Sequence, residues 1–207
     1  MTGFTHLKKL FEQKKISRRQ FITQASALGF AAAISPALLS GNAMASTPKK
    51  GGDFVIGLSG GSTTDSMDPG ALTSVFNQHL NFQIRNCLVE IDHNFKPIPE
   101  LAESWDSTPD ARIWSFKLRR GVEFHNGKTM TADDVMFSIN HHRGEDSKSG
   151  AKGYLKALKE VRKDGPYTVI FELEGGNADF PFTMGDYHLA ICPDGTKGTE
   201  FEKGIGT

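Results

Sequence analysis

Residues 57–61 read Gly-Leu-Ser-Gly-Gly and match the G-x-S-x-G pattern that surrounds the nucleophilic serine of many hydrolases. In such a site a helix must begin directly after the serine, because that helix exposes the hydroxyl and supplies a backbone N–H to the oxyanion. Residues 62–69 contain turn-forming residues and show no helical periodicity. We therefore expect a loop that performs no covalent chemistry, and we keep hydrolysis through Ser59 as the alternative.

His141 and His142, followed by Glu145 and Asp146, bring together side-chain types that bind metal ions. Neighbouring residues of a helix point in different directions, which disfavours a metal ion shared by the two imidazoles. The group also stands at the end of a predicted helix, beside a Gly- and Ser-containing segment. This pattern favours a solvated helix end, and we expect neither a metal site nor a cofactor.

The charges are unevenly distributed along the 207 residues. Residues 1–45 carry six Lys or Arg and one Glu, which leaves a net charge of −5 on the other 162 residues. A weakly acidic body without a basic patch argues against a nucleic-acid partner. The two cysteines, Cys87 and Cys192, lack C-x-x-C spacing, so a redox or metal role is disfavoured. The sequence leaves open whether they form a disulfide bond, and we slightly favour two separate buried thiols.

The first 45 residues have the features of an export signal. A twin-arginine motif, which directs folded proteins to export, consists of Ser17, Arg18, Arg19 and Phe21. A lysine-rich stretch precedes it, apolar residues 25–39 follow it, and the small residues Ala43 and Ala45 predict cleavage before Ser46. A membrane anchor is the alternative, but the apolar stretch is shorter than the ~18–20 residues that span a bilayer. We predict a signal over residues 1–45 and a periplasmic body over residues 46–207.

The body alternates between strand and helix patterns, which predicts the α+β class. Strands are predicted for residues 53–58, 114–118, 122–124, 167–173 and 189–191. A helix with a buried face is predicted from the four-residue spacing of Leu72, Phe76, Leu80, Ile84 and Leu88. Two further helices are predicted, one that begins at Thr131 with an acidic first turn and a short one over residues 179–184.

Residues 99–139 resemble the signature of the family 5 bacterial extracellular solute-binding proteins, the peptide- and nickel-binding receptors of ABC importers. The stretch contains an Ala-x-x-Trp opening, a strand that ends in Leu-Arg, a Phe-His-x-Gly turn and Thr-Ala-x-Asp-Val at the start of a helix. Supporting motifs are Ser-Met-Asp-Pro-Gly at residues 66–70, the strand pattern of residues 164–176 and Gly-Ile-Gly-Thr at residues 204–207. They follow one another in the family's order.

The resemblance implies the N-terminal lobe, here incomplete, of a two-lobed clamp with an additional β-rich subdomain. It implies a monomer that binds a solute, most plausibly a peptide, and presents it to an ABC permease of the inner membrane, without enzymatic turnover. Family members are much longer than this chain, so we expect an N-terminal fragment; a truncated product that binds nothing is a further alternative. The residues that the resemblance brings to the ligand cleft are Ser59, Gly60, Gly61, Met67, Tyr154 and His188.

Overall fold

The computed structural model describes residues 3–28 and 51–207 of the chain. The chain forms two compact units, residues 1–55 and residues 56–207. Within the described residues, no helix combines the length and the apolar character that crossing a bilayer requires. The predicted cleavage site at Ala43 and Ala45 lies outside the described residues.

The first unit contains two helices, α1 (Gly3–Glu12) and α2 (Arg18–Ala27). Ser17 caps α2, since its hydroxyl accepts a hydrogen bond from the Gln20 backbone N–H and its own N–H donates to Oε1 of Gln20. Phe21 is fully buried, and its ring lies 4.8 Å from the ring of Phe11. The twin-arginine motif therefore begins a capped helix whose apolar residue packs against α1.

The second unit is built on an antiparallel sheet with the strand order β3-β4-β6-β5. Its strands are β3 (Ala102–Ser107), β4 (Ile113–Leu118), β5 (Leu158–Lys163) and β6 (Thr168–Leu173). Along β4, Trp114, Phe116 and Leu118 are buried while Ile113 and Lys117 are exposed, which confirms the predicted alternation. Phe116 pairs with Trp105 on one side and Val169 on the other, so its side chain lies at the centre of the sheet.

A second, two-stranded sheet pairs β1 (Val89–Ile91) with β2 (Pro97–Pro99). Proline lacks an N–H donor and is tolerated only at a sheet edge, which agrees with the position of β2 in a two-stranded sheet. The α+β class predicted from the sequence is confirmed by the helices that accompany these two sheets. They are α3 (Val75–Ile84), α4 (Ala132–His141), α5 (Phe180–Thr183) and short 3-10 turns at Pro69–Ala71, Gly150–Lys152, Tyr154–Ala157, Tyr187–Leu189 and Gly198–Lys203.

Helix α4 joins the four-stranded sheet to the segments that follow it. The backbone N–H of Thr131 donates to Oδ2 of Asp134 at 2.8 Å, so the predicted acidic cap is present. Asp134 is fully buried, and its Oδ1 accepts a further hydrogen bond from the backbone N–H of Asp194. Val135 and Ile139 face the core, and α4 packs on β5 and β6. The start of α4 is thereby fixed relative to the loops after β6.

The predicted buried stripe on α3 is wrong. Phe76 and Leu80 are exposed, while Asn77, Asn81 and Arg85 point inward and are almost fully buried. The four-residue spacing identified the helix, but polar residues occupy an equally regular stripe on another face. Burial of Asn81 and Arg85 is stabilised by hydrogen bonds, which a hydropathy pattern does not register.

Residues 53–58 and 189–191 do not form the predicted strands. Among the described residues, residues 53–58 pair with no strand and are exposed, and a strand is stable only when a neighbouring strand satisfies its backbone groups. Residues 187–189 form a 3-10 turn, Ala190 after it is extended, and Ile191 belongs to no strand. Cys87 and Cys192 are two buried free thiols, as favoured from the sequence, and burial raises the pKa of both.

Candidate functional site

The second unit contains a cavity of about 750 Å³ beside the end of α4. Four 3-10 turns and the C-terminal end of α4 contribute to its wall, so residues far apart in sequence meet there. The polar and aromatic side chains of the wall include Asp68, Thr73, His141, Lys148, Tyr154, Asp186, Tyr187 and His188. The volume falls within the range of small-molecule binding pockets.

Asp68 and His141 form one polar pair of the wall. Oδ1 of Asp68 accepts a hydrogen bond from the backbone N–H of Gly70 at 2.8 Å and lies 2.7 Å from Nε2 of His141. Burial alone would raise the pKa of Asp68, but the hydrogen bonds from His141 and Gly70 outweigh it and the net pKa is lowered. Asp68 is therefore ionised at neutral pH and presents a negative charge to the cavity.

A second polar group joins Tyr154, Asp186 and His188. Oδ1 of Asp186 accepts hydrogen bonds from the Tyr154 hydroxyl at 2.6 Å and from the His188 backbone N–H at 2.9 Å, and it lies 2.7 Å from Nδ1 of His188. Burial works to raise the pKa of Asp186, but the hydrogen bonds from His188 and Tyr154 lower it overall. Burial and the same hydrogen bond raise the pKa of Tyr154, so its hydroxyl stays protonated.

His142 supports the wall from behind. It is almost fully buried, and its Nδ1 lies 2.7 Å from the hydroxyl of Ser149. Burial, together with the nearby His141 and His188, lowers the pKa of His142 to about 4. The expectation of a solvated helix end is wrong for this pair, because His142 is buried and His141 is half-buried against Asp68. The described residues contain no cluster of three or more His, Cys, Asp or Glu arranged to hold a metal ion.

Two of the six ligand contacts predicted from the sequence, Tyr154 and His188, lie together on the cavity wall. Gly60 and Gly61 instead lie against the start of α3, near Ser74 and Phe76. Ser59 precedes them in the same loop. An α-helix begins only at Val75, so Ser59 lacks the helix that a nucleophile elbow requires.

Met67, also a predicted contact, is held by its backbone. Its carbonyl accepts from Nη1 of Arg85 at 2.7 Å, and its N–H donates to the carboxylate of Glu202. These contacts fix the segment that carries Asp68.

Sequence reasoning missed Asp68, His141 and Asp186 as members of this site. For Asp186 a local signal exists, because an aspartate two residues before His188 can accept from that residue's N–H and orient its ring. For Asp68 and His141 no local signal exists, since they are 73 positions apart and meet only through the tertiary fold.

Comparisons with known proteins agree with the resemblance seen in the sequence. The family model "Bacterial extracellular solute-binding proteins, family 5 Middle" matches residues 96–207. The oligopeptide-binding protein AppA of Bacillus subtilis is 32% identical over 143 residues, which cover 66% of this chain and 25% of AppA. Di/tripeptide-binding protein 1 of Pseudomonas aeruginosa is 31% identical over 210 residues, which cover 84% of this chain and 38% of that protein.

The solved structure of Haemophilus influenzae OppA in complex with RPPGFSPFR matches with a TM-score of 0.64 at 22% identity. The match covers 68% of this chain and 32% of that one. This likeness shows the fold, which is part of a lobe of a periplasmic binding protein. The chain spans between 25% and 38% of the length of the two curated relatives named above. The chain belongs to family 5 of the bacterial extracellular solute-binding proteins.

Proposed function

We propose that this protein captures a peptide in the periplasm and delivers it to an ABC permease for import. The observation that carries the proposal is the cavity in which Tyr154 and His188 meet two ionised carboxylates, in a chain of a solute-binding family. The names of its relatives AppA and di/tripeptide-binding protein 1 support peptides as the solute class. These relatives are named for binding and not for catalysis, which supports a protein that is not an enzyme.

The chemistry of the wall suits a peptide. A peptide carries N–H donors, carbonyl acceptors and terminal charges, and each must find a partner when it leaves water. The wall offers carboxylates at Asp68 and Asp186, hydroxyls at Tyr154 and Tyr187, and an ammonium at Lys148. In a two-lobed clamp, binding favours the closed form, because the solute contacts both lobes only when they are closed. A permease that recognises the closed form would then accept only the loaded protein.

The proposal includes the domain organisation predicted from the sequence. Residues 1–45 serve as a twin-arginine signal, and residues 46–207 form the N-terminal part of the solute-binding domain. The protein acts as a monomer without cofactor or metal. The loop with Ser59, Gly60, Gly61 and Met67 contributes further ligand contacts, which the resemblance supports.

Calorimetric titration of the protein in its natural length with a mixed library of di- to pentapeptides tests the proposal. We expect saturable binding by the wild type and a loss of at least tenfold in affinity for Tyr154→Ala, which removes an aromatic face and a hydroxyl from the wall. Tyr167→Ala is the matched control, because Tyr167 packs under Arg120 and does not line the cavity. Absence of saturable binding by the wild type, or equal affinity of Tyr154→Ala and wild type, would contradict the proposal.

Hydrolysis through Ser59 is not favoured by any feature of the structure described above. The loop that follows this serine is not helical, so the oxyanion donor that an elbow requires is missing. Ester hydrolysis that Ser59→Ala abolishes would overturn the binding-protein proposal.

A further inference from the structure

One ring nitrogen of His188 faces the cavity without a partner. The side chain is 91% buried, and its Nδ1 lies 2.7 Å from Oδ1 of Asp186 and 3.1 Å from the hydroxyl of Tyr154. Among the described residues, no hydrogen bond reaches its Nε2. This nitrogen lies over Gly150, where a Cβ atom would come within 2.6 Å of it.

The neighbours of His188 determine which nitrogen carries the proton. Asp186 is ionised and can only accept hydrogen bonds, and the Tyr154 hydroxyl already donates to the same Oδ1. Nδ1 of His188 therefore carries the proton that faces Asp186, and in the neutral ring Nε2 keeps its lone pair. The cavity wall thus presents a hydrogen-bond acceptor that a largely buried ring holds in a fixed orientation.

The surrounding charges select the kind of donor that can approach. Asp68 and Asp186 use Oδ1 for every hydrogen bond described above, which leaves Oδ2 of both carboxylates available to a ligand. Lys148 is the exposed lysine on this wall, so with the imidazoles of His141 and His188 neutral the two carboxylates and one ammonium give a net charge of −1. A lone-pair acceptor inside a negatively charged wall favours a cationic N–H donor over a neutral one.

We propose that Nε2 of His188 accepts a hydrogen bond from a protonated amino group of the solute. Asp186 holds the imidazole in the required tautomer, and Tyr154 is a positioning residue that holds Asp186. The inference rests on the proposed function and adds the ligand chemistry: an ammonium group, from the amino terminus of a peptide or from a lysine-type side chain.

The structure offers a substitution that blocks Nε2 without removing a polar group. Gly150→Ala places a methyl group against Nε2, in a 3-10 turn whose backbone accepts alanine. Gly153→Ala is the matched control, since Gly153 has helical φ and ψ and nothing within 4 Å of a Cβ. Both variants leave Asp186, Tyr154 and His188 unsubstituted, and at 2.6 Å the added methyl group forces only the local contact with Nε2 to adjust. Thermal unfolding of both variants checks that neither substitution disrupts the fold.

The probes for calorimetric titration are tri-alanine, N-acetyl-tri-alanine and N-acetyl-Ala-Lys-Ala. For the amine-bearing peptide that binds the wild type, we expect Gly150→Ala to lower the affinity at least tenfold and Gly153→Ala to leave it within twofold. A loss limited to tri-alanine assigns the amino terminus, and a loss limited to N-acetyl-Ala-Lys-Ala assigns the side-chain amine. N-Acetyl-tri-alanine carries no amine and is expected to bind weakly and to be insensitive to Gly150→Ala.

Equal binding of amine-bearing peptides by Gly150→Ala and Gly153→Ala overturns the inference, as does tight binding of N-acetyl-tri-alanine. A wild type that binds no peptide overturns the proposed function itself, so the two failures are distinguishable. A second measurement does not depend on a variant: ¹⁵N NMR of histidine-labelled protein. We expect Nε2 of His188 to be unprotonated and to shift when the amine-bearing peptide is added; a proton on Nε2 in the free protein overturns the inference.

Discussion

His142, Asp68 and Asp186 show how burial and hydrogen bonds fix the protonation states of polar residues in and behind the cavity wall. Each is at least partly buried, and each is kept in one protonation state by its environment. Asp68 and Asp186 are stabilised as carboxylates by donors from His141, His188 and the backbone. His142 is stabilised as the neutral imidazole because burial disfavours its charged form.

The lowered pKa of His142 predicts a loss of stability on acidification. Its pKa falls from 6.5 in the unfolded chain to about 4 in the folded protein. Between these values the unfolded state binds a proton that the folded state excludes, so the free energy of unfolding decreases as the pH falls from 6.5 to 4. The full difference amounts to about 3 kcal/mol.

Urea unfolding between pH 7 and pH 4 measures this effect. His142→Asn keeps an acceptor for the hydroxyl of Ser149 but cannot titrate, and we expect a shallower pH dependence. His93→Asn at an exposed turn is the control and should retain the wild-type slope. Parallel pH profiles for wild type and His142→Asn would show that His142 is not the group responsible.

At the scale of single residues, the sequence predicts part of the site. The family resemblance predicted Tyr154 and His188 as site residues. The pairing of Asp186 with His188 could also be predicted, because the two residues are only two positions apart. The contact between Asp68 and His141 could not be predicted from the sequence. The two residues are far apart in the chain and meet only where α4 packs against the loop after residue 66. The burial of His142 has the same origin.

At the scale of elements, Arg85 joins α3 to two other segments. It is almost fully buried at the C-terminal end of α3 and donates to the carbonyls of Met67, Phe201 and Ile205 and to Oδ1 of Asn81. A buried guanidinium needs this many acceptors, because an unpaired buried donor costs about 1–3 kcal/mol. Arg85 therefore holds the loop before α3 and residues 198–205 against one helix end.

Arg85→Lys is expected to lower the free energy of unfolding by about 2–4 kcal/mol. The ammonium keeps the charge but lacks the planar fork that reaches acceptors in three different segments. Arg120→Lys is the matched control: Arg120 is exposed and stacks on Tyr167, so we expect a change of about 0.5 kcal/mol or less. Guanidinium denaturation of both variants provides the measurement, and equal stabilities would show that the contacts of Arg85 are not required.

The elements themselves differ in how far the sequence predicts them. Strands β4 and β6, α4 and α5 follow from alternation and capping residues, which are local signals. The orientation of α3 does not, since Asn81 and Arg85 are buried through hydrogen bonds to distant backbone groups. The strand predicted for residues 53–58 is absent for a related reason. These residues have a strand-like sequence, but no neighbouring strand among the described residues pairs with them.

For the whole molecule, the proposed twin-arginine signal predicts how the mature protein arises. Replacing Arg18 and Arg19 by lysine keeps the charge but removes the paired guanidinium groups, and we expect the precursor to accumulate in the cytoplasm. Replacing Lys14 and Lys15 by arginine is the charge-matched control and should leave export intact. N-terminal sequencing of exported wild-type protein should begin at Ser46; uncleaved protein in the membrane would support an anchor instead.

The central claim is that the cavity beside the end of α4 receives the peptide. Amide ¹⁵N chemical-shift mapping of the protein, titrated with a peptide that binds in calorimetry, tests it most directly. The account predicts the largest changes at Leu72, Gly150, Tyr154 and His188 and no comparable change along β3. Changes concentrated elsewhere, for example at the separate cavity around residues 108–113, would place the peptide at another site and contradict the account.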